Sequence, residues 1–563
     1  MKLFRKPEFP KDTDGSLSLL LYFVAALIVP NVLLAFTEHY PFWTVAVSLL
    51  VPSGFYLIWG VLLRRSGVMV WLGLPFMVLG AFQLVLLYLF GNSIIAVDMF
   101  TNLRTTNPDE AGELLGNIYP SVIGVCVLYL PLLFLAGKAI RRHRIVSPRL
   151  KRGAIGAGIA MLAAGGAMSL PAGRSAAGFR AATDLFPVNV MYNMKLSVDE
   201  WKRVLNYRTT SAGFRFDARR PNPAPEREVY VLVVGEASRY GNWSLFGYGR
   251  ETNPQLARQQ DLLLFKNVLT QSNTTHKSVP IILSSCQAED HDSIYLRKGV
   301  IALFREAGFK TLFVSNQAPN NALIDRLAAE ADRSVYLSRG DVDGSLLPYV
   351  DEALRADTSD LLVVLHTYGS HYSYDCRYPR SFARFTPDTD VSIKKKHKPQ
   401  IVNAYDNSVL YTDQVLSTLI DMLRERGDIC SALFYCADHG EDLFDDDRHR
   451  FLHSSPTTTY YQLHVASVGW TSERYRMRFP ERAAAARDNV FAPATTGAVF
   501  HTMAGMAGIE SPWVDRRYSL FGGEFDYAAE RHYLNDHNRA VRFEQTGLRE
   551  QDKELFSELG IAL

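Results

Sequence analysis

Four short runs in this 563-residue chain carry side chains suited to one cation and one phosphoryl group. Glu236 ends the apolar run Val229–Gly235, and His366 ends Leu361–Leu365, with His371 close behind. Asp438 and His439 follow Ala432–Ala437, and Gly440 and Glu441 come next. Hydroxyls crowd Gln271–Pro280, where Ser272, Thr274, Thr275 and Ser278 stand at the opening of an apolar, helix-like stretch. Carboxylate oxygens and imidazole nitrogens are the donors that Zn²⁺ or Mn²⁺ sites use. A hydroxyl bound to such an ion loses its proton more easily and can attack phosphorus. A helix N-terminus beside it favours the phosphate. Pattern alone leaves the nucleophile open among the four hydroxyls. Taken singly, an Asp-His pair is more often a cap or surface feature, and a Ser/Thr run an N-cap. Their common placement after strands is what favours chemistry.

The elements that must position them are legible. Val229–Gly235, Leu361–Leu365 and Ala432–Ala437 are short apolar runs, the first rich in β-branched valine, of the kind that form strands buried on both faces. Parallel strands in open α/β sheets bind ligands beyond their carboxyl ends, so Glu236, His366 and Asp438-His439 are expected at one edge. Phe265–Leu269 and Gly308–Ser315 read as further strands. Gly299–Ala307 and Tyr405–Arg424 read as helices. This alternation predicts an α/β/α sandwich with a largely parallel sheet.

The first third is different. Leu17–Phe36, Phe42–Leu63, Val68–Phe90, Ile118–Ala136 and Gly153–Leu170 are each close to the length and polarity of a membrane span. Lys and Arg cluster before the first span, after the second, and between the fourth and fifth. By the positive-inside rule the N-terminus is cytoplasmic, and everything after about Leu170 lies on the far side. No small-residue cleavage site follows the first span, so a signal peptide is not expected. In the second outer loop, Asn107, Pro108 and Glu110 suit the start of a short helix. The predicted organisation is a five-helix membrane domain (1–170), an interfacial connector rich in aromatics (171–227) and a catalytic domain (228–563). A net charge of +2 gives no support to a nucleic-acid partner. Of five cysteines, Cys126 falls in a span, leaving Cys286, Cys376, Cys430 and Cys436 in a compartment that permits disulfides.

The runs Val233–Arg239, Ser244–Pro254, Leu365–His371, Tyr405–Asp413 and Ala437–Glu441, with His453 and the five spans, resemble bacterial phosphoethanolamine transferases. These include the lipid A transferases and the mobile colistin-resistance enzymes. The resemblance implies an alkaline phosphatase/sulfatase-like soluble domain in the periplasm, attached to the inner membrane. It places the nucleophile on Thr275 and the zinc ligands on Glu236, Thr275, Asp438 and His439. It places two active-site histidines on His371 and His453, and membrane-proximal substrate contacts on Asn102, Thr106 and Glu110; His366 is added as a substrate contact at its strand end. It implies phosphatidylethanolamine as donor, lipid A or another part of lipopolysaccharide as acceptor, and a monomer. The chain departs from the pattern at Gln271 and Ile281, where many members have cysteines. Pro108 breaks the helical spacing between Asn102 and Glu110. A phosphoglycerol transferase of the lipoteichoic acid synthase type is the nearer rival. A sulfatase-type hydrolase lacks its Cys-x-Pro-x-Arg motif here, and a degenerate binding protein would not keep a full ligand set.

Overall fold

A computed structural model describes residues 15–38, 40–91, 94–105, 108–174, 179–338, 340–356 and 358–563. The chain forms two compact units, Met1–Phe100 with Leu114–Leu196, and Thr101–Glu113 with Ser197–Leu563.

In the first unit four helices are long and apolar enough to cross a membrane: Gly15–Thr37, Phe42–Gly60, Ile118–Arg141 and Pro148–Gly173. The predicted third span is a broken one. Ser66–Leu72 and the helix from Leu74 meet at an angle of 50°. The cause is Pro75, which has no amide to bond back across Gly73. The Gly/Ala-rich helix Pro148–Gly173 starts with Ser147 accepting from the Leu150 amide. It packs on Phe42–Gly60 at very short range, because a Cβ on Gly158 would stand 2.8 Å from the Gly54 carbonyl. Small residues let helix backbones approach where lipid supplies no hydrophobic drive. The short outer-loop helix anticipated at Pro108 is instead the start of one 34-residue helix, Pro108–Arg141, which also contains the fourth span.

The second unit is built on a seven-stranded sheet. Its strands are β1 (Glu228–Gly235), β2 (Leu262–Phe265), β3 (Lys310–Ser315), β4 (Arg333–Tyr336), β5 (Leu361–His366), β6 (Cys430–Ala437) and β7 (Ser467–Thr471), in the spatial order β2-β7-β6-β1-β5-β3-β4. β1 runs parallel to both β5 and β6, and β3 is parallel to β4 and β5. Only β7 is reversed. Every residue of β1, β5 and β6 is buried, so both faces of the central sheet are covered, as parallel strands require. Tyr405, Val409 and Leu416 of the helix Lys398–Glu425, and Val499, Phe500 and Met503 of Ala498–Ala507, contribute to that core.

One predicted strand is two. Phe265 ends β2, and the chain then leaves the sheet so that Val268–Leu269 pairs with Ala494–Thr495. The break falls at Lys266–Asn267, whose backbone groups bond to Val490 and Ala494. The predicted helix Tyr405–Arg424 begins earlier, at Lys398.

Candidate metal and nucleophile centre

Register decides what reaches the edge. Gly235 of β1 is level with Ala437 of β6, so Glu236 and Asp438 leave the sheet together. On the other side Val234 is level with His366. His366 therefore lies one step inside the edge, 3% exposed, with Nδ1 3.1 Å from Ser315 Oγ. Burial lowers its pKa to about 4, which keeps the ring neutral. Its position is within the sheet and not among the donor atoms.

Thr275 enters from a separate element. It is the first residue of the helix Thr275–Leu283, with Thr274 as N-cap. Its Oγ stands 3.3 Å from Glu236 Oε1 and 3.2 Å from His439 Nε2. His439 Nε2 is in turn 3.3 Å from Glu236 Oε1 and 3.4 Å from Asp438 Oδ2. A tetrahedral ion with ligands about 2.0 Å away holds them about 3.3 Å from one another. The separations of Thr275 from Glu236 and His439, and of His439 from Glu236 and Asp438, are of the length that the shell of one cation requires. The side chains of Glu236, Asp438 and His439 are fully buried. Two buried carboxylates without a compensating charge would cost several kcal/mol.

The donors are held by further hydrogen bonds. Gln317 Nε2 donates to Glu236 Oε2 at 2.9 Å, leaving Oε1 for the cation. Ser278 Oγ donates to Asp438 Oδ2 at 2.9 Å, and the amides of Ala237 and His439 donate to Oδ1. His439 Nδ1 lies 2.9 Å from the Gly440 carbonyl. A carbonyl only accepts, so Nδ1 donates to it and Nε2 faces the site. Sequence reasoning missed Gln317 and the role of Ser278. The signal for Gln317 was its place just beyond β3, a fourth strand ending at the same edge.

Charges reflect this crowding. Burial, and then the Glu236 charge, push Asp438 up to about 7. Burial works against the His439 charge, but the Asp438 and Glu236 carboxylates overcome it and raise His439 to about 10. Burial also opposes the Glu236 charge, yet the hydrogen bond and charge of His439 hold that carboxyl below its usual range.

His371 and His453 both reach this centre. The His453 ring is 4.1 Å from the His439 ring and 5.9 Å from the His371 ring. Glu236, His439 and His453 offer ligand atoms within 4.8 Å of one another. His453 Nδ1 is 2.8 Å from Glu441 Oε2, and Tyr374 donates to the other Glu441 oxygen at 2.8 Å. Burial raises the Glu441 carboxyl to about 7. Asn102 is half-buried on the helix Val97–Thr105, whereas the Glu110 backbone belongs to the separate helix Pro108–Arg141. Thr106 and the side chain of Glu110 lie outside the described residues. No two of the five cysteines form a disulfide.

Two glycines hold the edge together. Gly440 is required for space, since a Cβ there would sit 2.0 Å from the Tyr461 carbonyl. Gly369 has φ +50°, and a Cβ would stand 2.6 Å from the Glu236 carbonyl. Gly369→Ala is expected to destabilise the protein by roughly 2 kcal/mol or more, from left-handed strain plus the clash. It should also weaken metal binding by displacing Glu236. Urea unfolding in detergent and metal content after dialysis would read both.

Comparison with known proteins follows the same lines. A sulfatase family model matches residues 228–509, from the first residue of β1 to just past the helix Ala498–Ala507. Phosphoethanolamine transferase EptA of Escherichia coli O157:H7 is 31% identical over 314 residues, covering 53% of this chain and 57% of that protein. The chain thus spans little more than half the length of that relative. The crystal structure of the C-terminal periplasmic domain of EptC from Escherichia coli, in complex with Zn, superposes with a TM-score of 0.52 at 26% identity, covering 59% of this chain and 98% of that one. The integral membrane protein lipooligosaccharide phosphoethanolamine transferase A from Neisseria meningitidis shares the fold over 90% of this chain and 98% of its own, with a TM-score of 0.70 at 20% identity. With the whole central sheet and the loops at its carboxyl edge inside the matched region, the chain belongs to the sulfatase family, in the company of bacterial phosphoethanolamine transferases.

Proposed function

We propose that this protein transfers phosphoethanolamine from phosphatidylethanolamine to lipopolysaccharide, lipid A phosphate foremost and a core group second, through a phosphoethanolamine-Thr275 intermediate. The observation that carries the reading is the Thr275 hydroxyl at a helix N-terminus, within 3.3 Å of both Glu236 Oε1 and His439 Nε2. Zn²⁺, or Mn²⁺ in its place, bound by Glu236, Asp438, His439 and the Thr275 oxygen would act as a Lewis acid that lowers the hydroxyl pKa and offsets phosphoryl charge. Thr275 Oγ attacks phosphorus, its proton passes to the histidine pair, and the bond to the diacylglycerol oxygen breaks. His371 or His453 returns a proton to that oxygen, so diacylglycerol leaves as an alcohol. Glu441 holds the His453 ring with Nδ1 committed, which turns Nε2 to the reacting groups. Amides at the start of the helix Thr275–Leu283 bind the phosphoryl oxygens. In the second step an acceptor phosphate or hydroxyl oxygen attacks the same phosphorus, the Thr275 O–P bond breaks, and Thr275 regains a proton.

The relatives named for phosphoethanolamine transfer support the headgroup, and five apolar segments support a lipid donor and acceptor. In this reading the protein is a monomer of the bacterial inner membrane with a cytoplasmic N-terminus. Residues 1–170 cross the membrane, 171–227 lie in the interface, and 228–563 catalyse in the periplasm. Asn102, Thr106 and Glu110 are candidate acceptor contacts.

Purified full-length protein given phosphatidylethanolamine labelled in the headgroup should acquire label on Thr275 and pass it to lipid A. Label taken instead from phosphatidylglycerol would make it a phosphoglycerol transferase. Label on neither Thr275 nor lipid A would reject the reading.

A further inference from the structure

We propose that Asp343 and Arg377 are positioning residues which clamp the Tyr368–Tyr372 turn from opposite sides and so present His371 to the transferring group through Nε2. This inference rests on the transferase reading above. The turn lies over the metal-facing carboxylate: the Thr367 amide donates to the Val234 carbonyl and the Ser370 amide to the Glu236 carbonyl. Among the described residues no sheet ladder holds it beyond β5.

Two side chains from either side of the turn in sequence take that role. Asp343 opens a short 3₁₀ turn, Asp343–Leu346, and is 4% exposed. Its Oδ1 accepts from the Tyr368 amide at 2.8 Å and Asn316 Nδ2 at 2.8 Å, and its Oδ2 accepts from the Gly369 amide at 2.9 Å. Arg377 works on the carbonyls. Its Nε donates to His371 O at 2.8 Å and its Nη2 to Tyr372 O at 2.6 Å. Its guanidinium also lies over the Tyr368 ring, 3.9 Å from the centroid. Negative charge thus meets the amides of the turn and positive charge its carbonyls. Burial pushes the Asp343 carboxyl up, and the two amides, Asn316 and Arg377 act against that.

The clamp has a chemical consequence. Tyr372 O, which Arg377 holds, also lies 2.7 Å from His371 Nδ1. A carbonyl cannot donate, so His371 carries its proton on Nδ1 and Nε2 is left for the site. Charge-assisted hydrogen bonds to backbone are about twice as strong as neutral ones. They suit a turn that must hold one ring within a fraction of an ångström for proton transfer.

The test is a double-mutant cycle on the full chain in detergent with headgroup-labelled phosphatidylethanolamine. Asp343→Asn sets an amide against the Gly369 N–H, and Arg377→Gln removes the fork. Each is expected to lower kcat about ten- to a hundred-fold, with KM for the donor within about two-fold and metal content unchanged. Arg377→Lys should recover part of the loss. In a His371→Ala background the same substitutions should change kcat by less than about two-fold. Losses that persist undiminished in that background, or a His371→Ala protein as fast as wild type, would overturn the proposal. A readout independent of turnover is the imidazole ¹⁵N spectrum, with the His371 signals identified by difference from His371→Gln. Wild type should show the Nδ1–H form, and Asp343→Asn and Arg377→Gln a mixture; unchanged tautomers in both variants would also overturn the proposal. If wild type fails to transfer while the tautomer shift is seen, the transferase reading falls and the clamp stands. Should Asp343→Asn not fold, Arg377→Gln and Arg377→Lys carry the cycle.

Discussion

Thr275→Ala is expected to abolish both the covalent phosphoethanolamine adduct and transfer to lipid A, a loss of at least about 10⁴-fold in kcat. The reason is geometric. Thr275 is the hydroxyl that stands within 3.3 Å of both Glu236 and His439. The neighbouring hydroxyls are committed elsewhere: Ser278 Oγ donates to Asp438, and Ser272 and Thr274 bond to each other at 3.1 Å. None of them can take over without moving the N-terminal turn of the helix Thr275–Leu283. Thr275→Ser keeps the oxygen and should keep measurable transfer, because the missing methyl group makes no bond to the reacting atoms. Intact-mass analysis after exposure to phosphatidylethanolamine reads the adduct, and mass spectrometry of lipid A reads the product. An alanine variant that still forms the adduct would place the nucleophile on another residue.

Asp438→Asn is expected to empty the site of metal and reduce transfer to background while leaving the metal-free protein nearly as stable as before, within about 1 kcal/mol. Asn can keep the amide bonds of Ala237 and His439 on its oxygen, and Ser278 can turn to accept from its amide. The substitution also removes one of two buried like charges, since Glu236 stands beside it and raises its pKa. What is lost is the anionic ligand. In the wild type, by contrast, chelation should lower the unfolding midpoint, because an ion bound only by the folded state stabilises it by about 2.7 kcal/mol at a hundred times its Kd. The variant should show no such shift with chelator. Metal analysis, activity and thermal unfolding with and without chelator test the three parts together. A variant that retains both metal and activity would remove Asp438 from the ligand set.

Much of this protein was determined by local sequence. The apolar runs Val229–Gly235, Leu361–Leu365 and Ala432–Ala437 have the length of buried strands, and each is followed by a polar site residue. The membrane segments were equally legible, because length and polarity alone decide whether a helix suits a bilayer. The family motifs pointed to Thr275 ahead of its three hydroxyl rivals.

Tertiary structure decided the rest, and for one reason: contacts between residues far apart in sequence leave no periodic trace. With Gly235 level with Ala437 and Val234 level with His366, Asp438 lies two residues further along the strand direction than His366, which puts Asp438 at the edge and His366 inside the sheet. Lys266–Asn267 leave the predicted strand because the segment near Val490–Ala494 competes for their backbone bonds. Gln317 reaches Glu236 across 81 positions, Ser278 reaches Asp438 across 160, and Asp343 reaches the His371 turn across 25. Composition can say which atoms are able to bind a cation; only the packed sheet and its loops bring those atoms to within a ligand's distance of one another.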